Sequence, residues 1–359
     1  MPNQEPYCGV LIQEIGDYYA ENILVKIFIP ICLIGMILNL LNVLVFTRKI
    51  MNSPPNQILA HLAFVDFLML LSNAAQYWSM FIQPKSGFDR QQSYSLTIVF
   101  WYSDITTSTF QFISAFLTVQ LAAWRYIAVV HPLKERYWCT KKITRNVVIT
   151  GYVVCCVLYA IPEHFSFDIK ASTINGKTYH KAKFDQHPIM TLIRDIVYVA
   201  AVKLLPSVVL VGLTSRIAIT LLARKTRREK LTSAASTRSY MKNAKIRQQT
   251  NTSTAILLAV AALYFMTEFP RGMLWLLATI NEDDWNTCYY SLVWIFGTIT
   301  NINVSITFIV YYTLSLQFRT TFKSLFSRNP RTSISHQRHA PLASGDTVKT
   351  DSGWKTSEV

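Results

Sequence analysis

The sequence predicts an all-α membrane protein: a seven-transmembrane helix bundle followed by a short amphipathic helix. Three observations predict it. The 359 residues are 51% hydrophobic and only 15% charged, too apolar for a soluble domain of this size. Seven apolar stretches reach the roughly 20 residues a membrane-crossing helix requires. The basic residues cluster after alternate stretches instead of being spread along the chain.

Taken in order, residues 1–22 form a polar tail carrying Glu5, Glu14, Asp17 and Glu21, without the basic start and short apolar core of a cleavable signal peptide. The bundle occupies 23–314, with spans expected at 23–46, 58–81, 95–129, 143–161, 188–222, 254–280 and 288–314. Several contain proline, which a membrane helix tolerates because neighbouring groups satisfy the freed backbone. Residues 315–326 put Phe318, Phe322, Leu325 and Phe326 on one face and Arg319 and Lys323 elsewhere, the pattern of a helix lying along membrane lipids. The polar segment 327–359 is expected to be disordered.

Arg48 and Lys49, then Lys134 to Arg145, then Arg224 to Arg247 place the segments after spans one, three and five in the cytoplasm. The amino terminus is therefore expected outside, the carboxyl terminus inside, and the chain in the plasma membrane. The net charge of +15 reflects this topology and does not point to a nucleic-acid partner. Of six cysteines, only Cys8 and Cys288 fall on the oxidising side. They are expected to pair, with two free thiols as the alternative. The sequence contains no nucleophile with a base, no metal-ligand cluster and no phosphate loop, so neither enzyme nor cofactor is expected.

Motifs then occur in register: Asn39 in span one, Leu62-Ala63-Phe64-Val65-Asp66 in span two, Trp124-Arg125-Tyr126 closing span three, Pro206 in span five, Pro270 in span six and Thr307-Phe308-Ile309-Val310-Tyr311 in span seven. Together they resemble the rhodopsin-like (class A) G-protein-coupled receptors from span one through the amphipathic helix. Three local runs, Trp124-Arg125-Tyr126, Lys203-Leu204-Leu205-Pro206 and Thr267-Glu268-Phe269-Pro270-Arg271-Gly272, are similar to invertebrate, mainly nematode, myosuppressin and FMRFamide-like peptide receptors. The resemblance implies an amidated peptide ending in Arg-Phe as extracellular ligand and a heterotrimeric G protein as partner. The chain departs from the pattern at Phe100, where the family's disulfide cysteine in span three is missing. The loop 163–186 must therefore be held by packing or polar groups.

The resemblance also distributes roles. Asp66 would meet Ser114, Asn303 and Thr307, giving either a hydrated polar network or a sodium pocket; no metal site is certain. Glu268 stands where the family has tryptophan, with Lys203 at similar depth and Arg271 at i+3. Two readings stand: an internal ion pair, or an acid that receives the peptide's arginine and couples it to hinging at Pro270, with Pro206 as a second hinge. Asp104 and Glu282-Asp283-Asp284 are further acids, and Gln111, Trp101, Tyr102 and Trp275 complete the candidate peptide pocket. Arg125, Tyr126, Pro132 and Tyr311 would couple to the G protein, with Tyr311 restraining Arg125 because Trp124 and Thr250 replace the family's acids. Hydroxyls in the carboxyl-terminal tail suit an arrestin-like partner, and Ser357-Glu358-Val359 suits a PDZ module. The rival readings are a chemosensory receptor for an environmental small molecule and, more remotely, a transporter or channel, which no internal repeat supports.

Overall fold

The computed structural model describes residues 25–81, 93–174, 177–184, 188–232, 259–277 and 290–326. Among these residues six helices are long and apolar enough to cross a membrane. A further helix covers 259–277, inside the expected sixth span. The spans are α1 (Val25–Phe46), α2 (Pro54–Phe81) and α3 (Tyr94–Val130). The short α4 (Pro132–Trp138) leads into the fourth span, built from α5 (Lys141–Cys155), a π-helical segment (Cys156–Ala160) and α6 (Ile161–Ser166). Strands β1 (Phe167–Ile174) and β2 (Lys177–Phe184) follow. The fifth span consists of α7 (Pro188–Ile196), a π-helical segment (Val197–Leu204) and α8 (Leu205–Thr232). The sixth is α9 (259–277), the seventh α10 (Tyr290–Leu314), and α11 (Leu316–Phe326) packs back against α1 and α10.

The burial pattern is that of a bundle in lipid. Along α1, Phe28, Cys32, Gly35, Asn39, Asn42 and Phe46 are buried at helical spacing, while Leu33, Ile34, Ile37, Leu40 and Leu44 are exposed. The small and polar face meets other helices, and the aliphatic face is turned outward, where lipid is as apolar as leucine. Asn39 Nδ2 donates to Gly35 O at 3.0 Å and to Val304 O of α10 at 3.2 Å. Asn73 Nδ2 of α2 donates to Asn301 Oδ1 of α10 at 3.0 Å. Spans one, two and seven are thus joined by hydrogen bonds that hydrocarbon cannot compete for.

Both π-helical segments end close before a proline, Pro162 and Pro206. Proline has no N–H, so the carbonyl four residues earlier loses its helical donor. For Pro206 that carbonyl belongs to Val202, and Tyr264 Oη on α9 donates to it at 3.0 Å. The widened turn relieves the ring's clash, and a side chain from span six supplies the missing bond.

The segment after span four differs most from the sequence expectation. Helix continues to Ser166, and the supposed loop contains an antiparallel hairpin in register from Phe167–Phe184 to Ile174–Lys177. The strands flank Asn175-Gly176 in the sequence, a pair strongly preferred in two-residue hairpin connections. Where the family disulfide is missing, the single hydroxyl proton of Thr97 at the start of α3 is shared between Ser93 O of its own helix at 3.1 Å and His180 O of β2 at 3.2 Å, and the Tyr94 and His180 rings lie 5.2 Å apart. Beneath the hairpin, Arg194 of α7 pairs with Glu163 of α6 at 3.5 Å and with Asp195 at 2.8 Å, and its Nη1 lies 3.4 Å from Ser166 Oγ. Thr97→Val deletes one hydrogen bond worth about 1 kcal/mol. Hydrogen exchange across 167–184 is expected to rise about fivefold; unchanged exchange would show that the hairpin does not depend on this bond.

Candidate functional site

Polar side chains from four spans meet at one carboxylate. Lys203, wholly buried in the fifth span, places Nζ 2.5 Å from Glu268 Oε2 on α9. Gln111 Nε2 of α3 donates to Oε1 and Oε2 at 3.2 and 3.1 Å, and Thr300 Oγ1 of α10 donates to Oε1 at 2.8 Å. These bonds occupy about four lone-pair sites, the full capacity of a carboxylate. Close approach of the fifth and sixth spans needs Gly272, where an added Cβ would sit 2.7 Å from Lys203 Cβ.

A cleft opens one turn away, between α2, α3, α9 and α10. It is lined by Asn73, Tyr77, Thr107, Gln111, Arg271, Gly297, Thr300 and Asn301 with Met69, and its free volume is about 20 Å³, room for one water. Arg271 makes no ion pair with a described residue, and its Nε is buried without a hydrogen-bond partner. The Oγ1 of Thr107 is likewise buried and unpartnered.

Of the expected pocket residues, Gln111 and Arg271 line this cleft, and Lys203 and Glu268 lie beneath it. The others lie elsewhere. Asp104 accepts from Gln76 Nε2 at 2.9 Å, outside the lining. Tyr102 turns toward the fourth span, with Oη 3.4 Å from His164 Nδ1. The ring of Trp101 packs on Phe100 at 5.2 Å and that of Trp275 on Tyr198 at 5.3 Å. Aromatic rings suit packing as well as ligand contact, and here they pack. Sequence reasoning overlooked Asn73, Thr107, Thr300 and Asn301. Their signal was polarity inside an apolar helix: Asn73 lies two turns from Asp66, Thr107 one turn from Gln111, and Thr300 and Asn301 just before Asn303. Cys8, Cys288, Thr250 and Glu282-Asp283-Asp284 lie outside the described residues, as does the tail from 327.

The expected four-residue convergence on Asp66 is not formed. Ser114 Oγ donates to Asp66 Oδ1 at 2.8 Å, but Asn303 Nδ2 points to Thr267 Oγ1 at 3.4 Å. Thr307 Oγ1 donates to Val304 O of its own helix at 2.9 Å, the back-bond a short hydroxyl side chain readily makes. Phe308, in place of the family proline, packs on Phe318 and Phe322 of α11 at 5.6 and 5.3 Å.

At the end of the bundle opposite the hairpin, Trp124 Nε1 donates to Thr144 Oγ1 at 2.9 Å, so the residue replacing the family's acid links spans three and four. Arg125 makes no hydrogen bond or ion pair with a described residue. The expected restraint by Tyr311 is not formed. The Tyr311 hydroxyl is buried and unpartnered, and its ring packs on Phe46 and Phe318 at 5.2 and 5.9 Å. Tyr126 lies against His131 at 5.8 Å, and Pro132 opens α4.

The described residues thus form a bundle of membrane-length apolar helices with a buried charged centre and a small polar cleft. Residues 26–329 match the family described as serpentine type 7TM GPCR chemoreceptor Srw, and the chain belongs to that family. It is therefore a multi-pass membrane receptor of the G-protein-coupled class and not an enzyme. Among curated proteins, it is 27% identical to the Sex peptide receptor of Drosophila melanogaster over 317 residues, 82% of this chain and 70% of that receptor. It is 25% identical to Sex peptide receptor-related protein 2 of Caenorhabditis elegans over 335 residues, 84% of this chain and 70% of that protein. The FMRFamide receptor of Drosophila melanogaster is 23% identical over 336 residues, 89% of this chain and 53% of that receptor.

Proposed function

We propose that this receptor binds an extracellular amidated neuropeptide of the FMRFamide or myosuppressin type and signals through a heterotrimeric G protein at the plasma membrane, with its amino terminus outside. The observation that carries this reading is the lining of the cleft. Asn73, Thr107, Gln111, Arg271 and Asn301 present donors and acceptors that a peptide end can match. A small apolar odorant would leave them without partners at a cost of about 1–3 kcal/mol each. Similarity to receptors named for the sex peptide and FMRFamide supports the same reading. The family description favours the alternative, a chemosensory receptor for a small molecule.

The carboxylate of Glu268 has its bonds filled, so the peptide's guanidinium is assigned to Asp104, which keeps acceptor capacity beyond its bond from Gln76. The cleft holds only one water, so peptide entry must separate the spans around it. That motion competes with the Lys203–Glu268 cross-link and turns α9 about Pro270. Asp66 with Ser114 forms a hydrated polar step below, and Arg125, Tyr126, Pro132 and Tyr311 form the surface that engages the G protein.

Expression with a promiscuous G protein and a screen of amidated Arg-Phe peptides, their free acids and small apolar odorants tests this reading. A response that prefers the amides supports it; a response confined to odorants sinks it. With no described residue holding Arg125, ligand-free nucleotide exchange above that of receptor-free membranes is expected at matched surface expression. Exchange equal to the background would show that another contact holds the resting state.

A further inference from the structure

Resting on the proposed orientation, which puts the Arg224 end of the fifth span in the cytoplasm, we infer that the outward face of α8 around Arg216 binds a phosphoinositide, an anionic lipid of the cytoplasmic leaflet. The first observation is a guanidinium where hydrocarbon is expected. Arg216 lies inside the apolar span Ile189–Arg224, ten residues past Pro206, and it is exposed. The bundle is met by a different side of α8, on which Leu210, Thr214 and Ile217 are buried. Arg216 makes no hydrogen bond or ion pair with a described residue. Nor does the following chain offer a carboxylate close by, since no Asp or Glu lies between Glu229 and Glu268. An unpaired charge on the lipid side of a helix is costly, and a long arginine side chain meets that cost by reaching toward the headgroups.

Two neighbours add to the charge. Ser207, Thr214, Thr220 and Thr226 of the fifth span each donate the hydroxyl proton to the carbonyl four residues earlier, at 2.7, 2.6, 2.8 and 3.2 Å. Ser215 breaks this pattern: it is exposed, and its hydroxyl makes no hydrogen bond with a described residue. Gly212, one turn before Arg216, is exposed as well, and an added Cβ there would meet no heavy atom within 4 Å. The missing side chain leaves a notch beside the exposed Val208 and Val211, in which an acyl chain can lie. Notch, hydroxyl and guanidinium thus follow one another down the helix in the order in which a phospholipid presents its chain and its phosphate, and a guanidinium fork suits phosphate oxygens. The helix then continues past the apolar span. Arg224, exposed and without an ion pair to a described residue, follows Arg216 by about 12 Å along the axis. Lys225, Arg227, Arg228 and Lys230 come next, with Glu229 the one acid of α8. Arg216 alone would be satisfied by the phosphate of any phospholipid. A headgroup with further phosphates on its ring also reaches the cations beyond it, and basic clusters beside a span suit inositol lipids of this kind. Such a lipid would hold the cytoplasmic end of span five, which leads into the segment before span six.

The test uses the full-length receptor purified in detergent, with no peptide present, and three probes: dioctanoyl phosphatidylinositol bisphosphate, dioctanoyl phosphatidylserine and free inositol trisphosphate. Affinity is read by thermophoresis for the unmodified receptor, Arg216→Gln, Gly212→Leu and, as a control for overall charge, Lys49→Gln. The unmodified receptor should bind the inositol lipid more tightly than either other probe. Arg216→Gln should weaken that binding by roughly 10- to 100-fold, the loss of a charge-assisted hydrogen bond, and Lys49→Gln should leave it unchanged. Gly212→Leu fills space outside the bundle; it should weaken the lipid and spare free inositol trisphosphate. Lipid affinity untouched by Arg216→Gln overturns the site, and so do equal losses in Arg216→Gln and Lys49→Gln, which reduce the effect to net charge. Free inositol trisphosphate binding as tightly as the lipid, or Gly212→Leu binding the lipid at full strength, overturns the assignment to a lipid. If Arg216→Gln impairs G-protein coupling with lipid affinity intact, the face belongs to the G protein and the proposal falls. Should Arg216→Gln not survive purification, Gly212→Leu decides by the same comparison of lipid and free headgroup. An amino-terminal epitope labelled on intact cells checks the orientation separately: reached only after permeabilisation, it sinks the orientation and this site with it. Labelled outside while lipid binding fails, it overturns the site alone.

Discussion

Glu268→Ala is expected to deplete folded receptor from the membrane. The substitution leaves Lys203, whose Nζ lies 2.5 Å from the carboxylate, as an uncompensated charge in a wholly buried position. It also strips an acceptor from Gln111 and Thr300. Breaking a buried pair by removing one partner costs about 3–5 kcal/mol, a large share of the stability of most folded domains. Surface labelling should fall steeply, and the detergent-solubilised remainder should melt earlier. Replacing both partners, Glu268→Leu with Lys203→Met, removes the stranded charge and should recover much of the surface level, because apolar substitutes for a buried pair are often neutral in stability. The double variant should signal more than the unmodified receptor in the absence of ligand, since the contact that helix movement must break is gone. If the single and double variants are equally depleted, packing and not charge pairing governs this site.

The second large effect is expected at Gly151. Its α-carbon on α5 faces the Phe116 ring of α3 so closely that an added Cβ would lie 2.6 Å from Cδ1 and 2.8 Å from Cζ. The Phe116 ring is partly buried, so Gly151→Leu must turn it from its place or push α5 from α3, the latter disturbing the Trp124–Thr144 hydrogen bond between the same two spans. Overpacking of this kind costs about 1–3 kcal/mol. Melting temperature in detergent should fall in the order unmodified, Gly151→Ala, Gly151→Leu. A leucine variant that melts with the unmodified receptor would show that Phe116 can swing aside.

Much of the scaffold could be read from residue order. Spans and their turns announce themselves through apolar runs, prolines and basic clusters, because lipid imposes one requirement on every crossing segment, that its backbone bonds be satisfied within the helix. Lys203 and Glu268 were placed at similar depth by the resemblance, and charges inside apolar helices demand partners. The hairpin escaped notice because residues 167–184 are polar and nearly patternless, although Asn175-Gly176 was a local hint. Thr307 and Asn303 were misassigned to Asp66 because each could satisfy itself nearer at hand, Thr307 on its own helix and Asn303 on Thr267. Tyr102, Trp101 and Trp275, read as pocket residues, lie with their rings against His164, Phe100 and Tyr198, because an aromatic side chain serves packing as readily as recognition.

The sequence by itself determined the membrane class, the places where helices run and the charged residues that must find partners, since hydropathy and charge are properties of each segment alone. The tertiary structure decided which partners those residues find. Only it shows the four bonds that fill the Glu268 carboxylate, the Tyr264 hydroxyl that completes Val202 opposite Pro206, and the guanidinium of Arg271 left facing a cleft. The physical reason is that a hydrogen bond between spans depends on helix rotation and depth to within an ångström or so, and those are set by the packing of all spans together.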